Sequence, residues 1–102
     1  MSLAAALAAA VIQGTVWSPS CGVEPGVCTF VRAPAAVVAA CRATCVRTRS
    51  DRSGRYRLRV AAPGRYRLTA KVQGRFGAWH ARPRIVVVRR AGAVVDVDLG
   101  KG

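Results

Sequence analysis

Residues 50–72, SDRSGRYRLRVAAPGRYRLTAKV, constrain this chain more than any other stretch. Arg55, Arg57 and Arg59 alternate with Tyr56, Leu58 and Val60. The pattern then repeats, with Arg65, Arg67 and Thr69 alternating with Tyr66, Leu68 and Ala70. Successive strand side chains point to opposite faces, so each run reads as a β-strand with one polar, largely cationic face and one apolar face. Between the runs, Pro63 fixes its own φ and has no N–H to give a ladder, and Gly64 tolerates positive φ, so the chain turns there.

Two arrangements satisfy this pattern. In a hairpin with a three-residue loop over residues 62–64, Val60 meets Tyr66, Leu58 meets Leu68 and Arg59 meets Arg67. A one-residue slip would set Arg against apolar side chains, which disfavours that register. The Arg59–Arg67 contact is itself mildly unfavourable. In the second arrangement the two strands lie in opposite sheets of a sandwich. Upstream, Asp51-Arg52-Ser53-Gly54 is a turn signal: the Asp side chain caps its own backbone and Gly supplies the unusual dihedral. Val46, Thr48 and Ser50 alternate with Arg47 and Arg49, so a further strand precedes that turn.

The segment at residues 48–58, TRSDRSGRYRL, followed by APGRYRL at residues 62–68, resembles the carboxypeptidase regulatory-like domain. That family's repeated signature is Thr-Asp-x-x-Gly-x-aromatic, then Pro-Gly-x-Tyr-x-Leu. Residues 13–16 and 94–99 are similar to its first and last strands. The resemblance is good over residues 48–99, fair over 12–28 and poor over 29–43, where an Ala-rich run replaces a clean extended strand and leaves strand and short helix both open. It implies an all-β fold, a transthyretin-like (prealbumin-like) Greek-key β-sandwich of about seven strands in two antiparallel sheets. It also implies a non-catalytic accessory module of an extracellular or periplasmic protein, giving structural support or binding a protein or carbohydrate partner.

At 102 residues the chain has room for one domain with a real core, placed at residues 11–100. Residues 1–10 read either as a signal-peptide remnant, with Ala8-Ala9-Ala10 meeting the small-x-small cleavage rule, or as an Ala-rich helix or disordered arm. The apolar run there is shorter than the roughly 20 residues a membrane span needs. Val38-Ala39-Ala40-Cys41 matches a lipobox superficially, but no basic segment or long apolar run precedes it.

The net charge is +13, with fifteen Arg and two Lys against three Asp and one Glu. A genome rich in G and C explains it by enriching Arg, Ala, Val, Gly and Pro together. An anionic partner is the other explanation. The second makes a polyanion-binding module, for nucleic acid or acidic polysaccharide, the alternative function. Its anion-binding face would be Arg47, Arg49, Arg55, Arg57, Arg59, Arg65 and Arg67, with strongly salt-dependent binding. Tyr56 and Tyr66 fall on the apolar parity, so that face lacks stacking aromatics.

Along the rest of the chain, residues 11–17 form a strand with Ile12, Gly14 and Val16 on one face and Trp17 on the other, and residues 18–27 form a loop. The four cysteines allow three pairings. Cys21 with Cys28, across the Glu24-Pro25-Gly26 turn, and Cys41 with Cys45 are favoured as disulfides. Free thiols and a metal site are the alternatives, although this spacing lacks the usual Cys-x2-Cys of structural zinc. Residues 73–83 are the longest loop after the central motif. Phe76, Trp79, His80 and Arg82 there are hot-spot residue types and a candidate binding loop, or else they cap the open end of the sandwich. Residues 84–88 read as a well-buried strand. Residues 94–99 close the fold with Val95, Val97 and Leu99 inward, and with Asp96 and Asp98 outward, where they can pair with Arg.

No motif frames a nucleophile, no Gly-rich phosphate loop precedes a helix, and a single His leaves little acid–base chemistry. No catalytic residues, cofactor or metal are expected. The chain has no Asn, which removes Asn-linked glycosylation.

Overall fold

Strand β1 (Ala10–Cys21) carries the first of two sheets, in a computed structural model that describes residues 9–21, 26, 28–74 and 77–101. Its period of two turns Ile12 and Val16 into the core and leaves Gln13 outside. Along one edge β1 pairs antiparallel with β2 (Cys28–Arg32) through residues 17–21, and with β5 (Arg55–Val60) through residues 10–15. Along its other edge it runs parallel to β9 (Ala93–Val94) and β10 (Val97–Asp98). In the second sheet β4 (Cys45–Arg49), β3 (Val37–Cys41) and β6 (Gly64–Gly74) lie side by side. Beyond β6, β8 (Arg84–Val88) pairs with its first half and β7 (Gly77–His80) with its second, and β11 (Gly100–Lys101) lies outside β7.

The fold is therefore all-β, with two mostly antiparallel sheets packed over one core. Ile12, Val16, Leu58 and Val60 from the first sheet meet Val38, Leu68 and Val88 from the second, with Leu99 beside them. The strand count is eleven among the described residues, against an expectation of about seven. Three of these are two-residue pieces. The closing stretch 94–99 is one of the reasons, because it breaks between β9 and β10 instead of running as one strand.

The second of the two arrangements expected for the central motif is the one found. β5 belongs to the first sheet and β6 to the second, so residues 61–63 cross between sheets. Arg59 and Arg67 therefore stand on opposite sides of the molecule instead of facing each other, which removes the like-charge contact a hairpin would force. Arg42 secures the crossing. Its Nη1 donates to the Pro63 carbonyl (3.4 Å), and its guanidinium lies over the Tyr66 ring at 5.9 Å from the centroid.

Several local expectations are corrected. Over residues 29–43, where strand and short helix were both open, the structure has strand, in two segments around a turn. The loop expected at 18–27 starts later, because β1 runs on to Cys21. Residues 73–83 are not a loop throughout: β6 continues to Gly74 and returns as β7, a hairpin. The run at 84–88 is not well buried. Val86 and Val88 are inside, but Ile85 is 60% and Val87 55% exposed, because the outer face of β8 meets solvent. The expected N-terminal arm lies outside the described residues over 1–8.

Two turns fix where the sheets meet. At residues 51–54 the Asp51 carboxylate accepts from the Ser53 amide (2.9 Å), the Ser53 hydroxyl (2.8 Å) and the Arg55 amide (3.0 Å). Gly54, at φ +78°, passes so close to Arg32 and Ala33 that a side chain would collide with them. Its carbonyl accepts the Val16 N–H (2.8 Å), and the Val16 carbonyl accepts the Ala33 N–H (2.8 Å). At residues 33–36 the buried Ser50 supplies the closure: the Ala36 amide donates to its Oγ (2.8 Å), which donates to the Ala33 carbonyl (2.5 Å). Ala35 in that turn has φ +58°, a conformation that strains any residue with a Cβ.

Ser50→Ala leaves two buried backbone groups without their partner. It is expected to cost about 1–3 kcal/mol, read as a lower urea midpoint at unchanged slope. Ala35→Gly relieves the strained dihedral and is expected to raise stability by up to about 1 kcal/mol in the same titration, the gain being limited by the greater freedom of Gly in the unfolded chain. An unchanged midpoint for Ser50→Ala contradicts the role given to its hydroxyl.

Candidate functional site

Gly14 on β1 faces Tyr56 on β5 as its cross-strand partner. Tyr56 is buried, and its hydroxyl reaches across β1 to donate to the Val95 carbonyl at 2.5 Å. A Cβ on Gly14 would overlap that same carbonyl. In a regular parallel ladder the Thr15 amide would donate to the Val95 carbonyl. Here the Asp96 carboxylate takes the Thr15 amide instead (3.0 Å), and Tyr56 takes the carbonyl. Burial, with the nearby Asp96 charge adding to it, pushes the Tyr56 hydroxyl up to about 12, so it stays a proton donor at neutral pH.

A cleft of about 560 Å³ lies beside this rung, with Arg49, Arg55, Arg57, Asp51 and Asp96 among its lining. Both carboxylates serve the backbone. Asp96 caps Thr15. Asp51 is held below its ordinary value by the Ser53 hydroxyl first, then by the Arg55 amide. The stability this adds is present above the ordinary carboxylate value and is lost as pH falls through the lowered one.

The seven arginines expected to form one face divide between two. Arg55, Arg57 and Arg59 stand on the outer face of the first sheet, opposite Thr15, Gln13 and Val11. Asp96 and Asp98 share that side of the molecule, so the face carries both signs. Arg47, Arg49, Arg65 and Arg67 are exposed on the outer face of the second sheet. There the register aligns Arg49, Val37, Lys71 and His80 in one row across the strands, and Arg47, Ala39 and Thr69 in the next. A third row holds the Cys45–Cys41 disulfide, Arg67 and Ile85. Two adjoining grooves, of about 460 and about 500 Å³, run over this face and share Val37, Lys71 and His80.

Lys71 is a residue that sequence reasoning missed on this face, and His80, expected in a binding loop, falls beside it in the same row. Carrying the parity of Arg65, Arg67 and Thr69 one step further finds Lys71. Finding His80 requires the β6–β7 pairing.

The remaining candidates do not act as one loop. Trp79 packs half-buried against the core, while His80 is exposed on the opposite side of β7. Arg82 is exposed in the link to β8, and Phe76 lies outside the described residues. Cys41 and Cys45 form a disulfide. Cys28 is also disulfide-bonded, and the ladder sets it opposite Cys21, whose side chain lies outside the described residues. Trp17 has the Arg32 guanidinium over its ring, 5.9 Å from the centroid, at the base of the β1–β2 hairpin. Among the described residues no group of three or more His, Cys, Asp or Glu could hold a metal, and no helix is long and apolar enough to cross a membrane. Compared with known protein families and with curated proteins, the sequence matches none.

Tyr56→Phe is expected to lower stability at pH 7 by about 1–2 kcal/mol, since it strands the Val95 carbonyl. The raised value also sets a pH signature. Its contribution is full below pH 10 and is lost as pH rises toward about 12. Chemical denaturation across that window should show a shallower fall for Tyr56→Phe than for the parent chain; parallel curves would contradict the assignment.

Proposed function

We propose that this chain is a non-catalytic accessory module, a transthyretin-like β-sandwich of the carboxypeptidase regulatory-like kind, carried by an exported protein and offering its outer faces for support or binding. The observation that carries the reading is where the double motif goes. Asp51 and Gly54 build the turn that docks on Val16. Tyr56 closes the first sheet. Pro63 and Gly64 lie at the crossing to the second sheet, where the Tyr66 hydroxyl donates to the Ala62 carbonyl at 2.6 Å. Leu58 and Leu68 lie in the core. The signature residues are thus framework, and the faces they hold up carry arginine.

Disulfide bonding at Cys28 and between Cys41 and Cys45 suits an oxidising compartment. A protein with its thiols paired resists denaturation in the place where such a module would work, each short-loop crosslink being worth about 2 kcal/mol on the chain-entropy account.

The test is intact mass after alkylation under denaturing conditions, with and without prior reduction, on chain exported into an oxidising compartment. All four thiols are expected to be blocked before reduction and alkylated after it. Four free thiols in protein prepared this way would sink the exported reading. Urea unfolding of the same sample should be a single cooperative transition; a broad, non-cooperative one would argue against an independent module.

A further inference from the structure

We propose that the outer face of the second sheet binds an acidic polysaccharide, with Arg47, Arg49, Arg67 and Lys71 as its anion-pairing side chains. The inference goes beyond the accessory-module reading and does not rest on it.

The geometry starts from the register. Arg47 and Arg49 stand on β4, Thr69 and Lys71 two strands away on β6, with Ala39 and Val37 of β3 between them. Strands lie about 4.8 Å apart, so the two cationic rims are separated by about 10 Å. Ala39 is buried and Val37 and Thr69 are half-buried, whereas Arg47, Arg49, Arg67 and Lys71 are exposed. Short side chains make the floor and long cationic ones make the walls. The result is a trough along β3, continued by the two grooves that share Val37, Lys71 and His80.

Charge selects the occupant. Of the three described acids, Asp96 and Asp98 lie on the first sheet and Asp51 is engaged in the turn after β4, where it lines the cleft of about 560 Å³ with Arg49 at the rim of the trough. The trough face is therefore cationic, while the Arg55–Arg57–Arg59 row shares its face with Asp96 and Asp98. Guanidinium forks suit the planar or tetrahedral oxygens of carboxylate and sulfate groups. Single-stranded nucleic acid carries charge too, but its binders stack bases on exposed aromatics. Of the aromatic rings described near this sheet, Tyr66 is buried and Trp79 packs on the core, which leaves the single His80 imidazole on this face and no run of stacking platforms. A polymer with repeated anionic groups and no bases to stack fits the trough better.

The test titrates a heparin oligosaccharide against the full chain by calorimetry, beside an oligo(dT) of matched charge. Two variants remove the same number of charges. One is Arg47→Gln/Arg49→Gln/Lys71→Gln in the trough, and the other is Arg55→Gln/Arg57→Gln/Arg59→Gln on the first sheet. Parent heparin affinity is expected to weaken at least about tenfold between about 50 and about 200 mM NaCl. The trough variant is expected to lose about tenfold or more and to flatten the salt slope by about one unit for each contact removed, while the first-sheet variant loses about threefold or less. Thermal melts of both variants control for folding. The single variants Arg47→Gln and Lys71→Gln carry the same comparison with less disturbance. Equal losses from the two triple variants would reduce the effect to net charge and overturn the site. Oligo(dT) binding as tightly as heparin, or no salt-sensitive heparin binding, would overturn the polymer class. Neither result bears on the thiol state, so failure here is distinct from failure of the exported-module reading.

Discussion

The Tyr56 hydroxyl on the Val95 carbonyl is the contact on which the first sheet depends. β1 has β5 on one side and the β9–β10 stretch on the other, and Tyr56 spans all three. The bond is possible only because Gly14 leaves room where a Cβ would meet the same carbonyl. Its cost is a missing rung in the parallel ladder, and the Asp96 carboxylate fills that rung from the side. Three residues far apart in the chain therefore act as one unit: Tyr56 satisfies the buried Val95 carbonyl, Asp96 the Thr15 amide, and Gly14 leaves the space that the first of these bonds needs.

The crossing at residues 61–63 has the second-largest consequence. Two strands with nearly the same sequence, Arg-Tyr-Arg-Leu, enter different sheets. Each turns its Tyr and Leu into the shared core and its arginines out. The like charges that would crowd one face of a hairpin are divided between the two sides of a sandwich. The first sheet's share sits beside Asp96 and Asp98, whereas of the second sheet's share Arg49 alone lines the cleft that holds Asp51 and Asp96. An electrostatic difference between the faces thus comes out of a topological choice.

Edges follow the same logic. Arg47 and Arg49 lie on the edge strand β4, and Arg55, Arg57 and Arg59 on β5, where charge discourages pairing with another chain's strand. β8 has no such guard in its middle, since Ile85 and Val87 are exposed between Arg84 and Val88. From the sequence, five residues reading Arg-Ile-Val-Val-Val look like a strand buried on both sides. The apolar run shows that a strand exists. It does not show whether a second layer covers the outer face, and among the described residues none does.

The sequence by itself determined what depends on near neighbours. Alternation set which side chains of residues 55–60 and 65–70 face inward, because the strand period is two and is local. Asp51 and Gly54 set a turn, because the cap and the positive φ involve residues at most four apart. Pairing of Cys41 with Cys45 was legible for the same reason. The tertiary structure alone decided which sheet each strand joined. It also decided that Arg55–Arg59 and Arg47–Arg49 stand on different sheets, that Lys71 and His80 fall in one row with Arg49, and that Gly14 sits under a carbonyl 81 residues away. Those outcomes depend on hydrogen bonds between distant segments, and no local period or spacing encodes the partner of a distant strand.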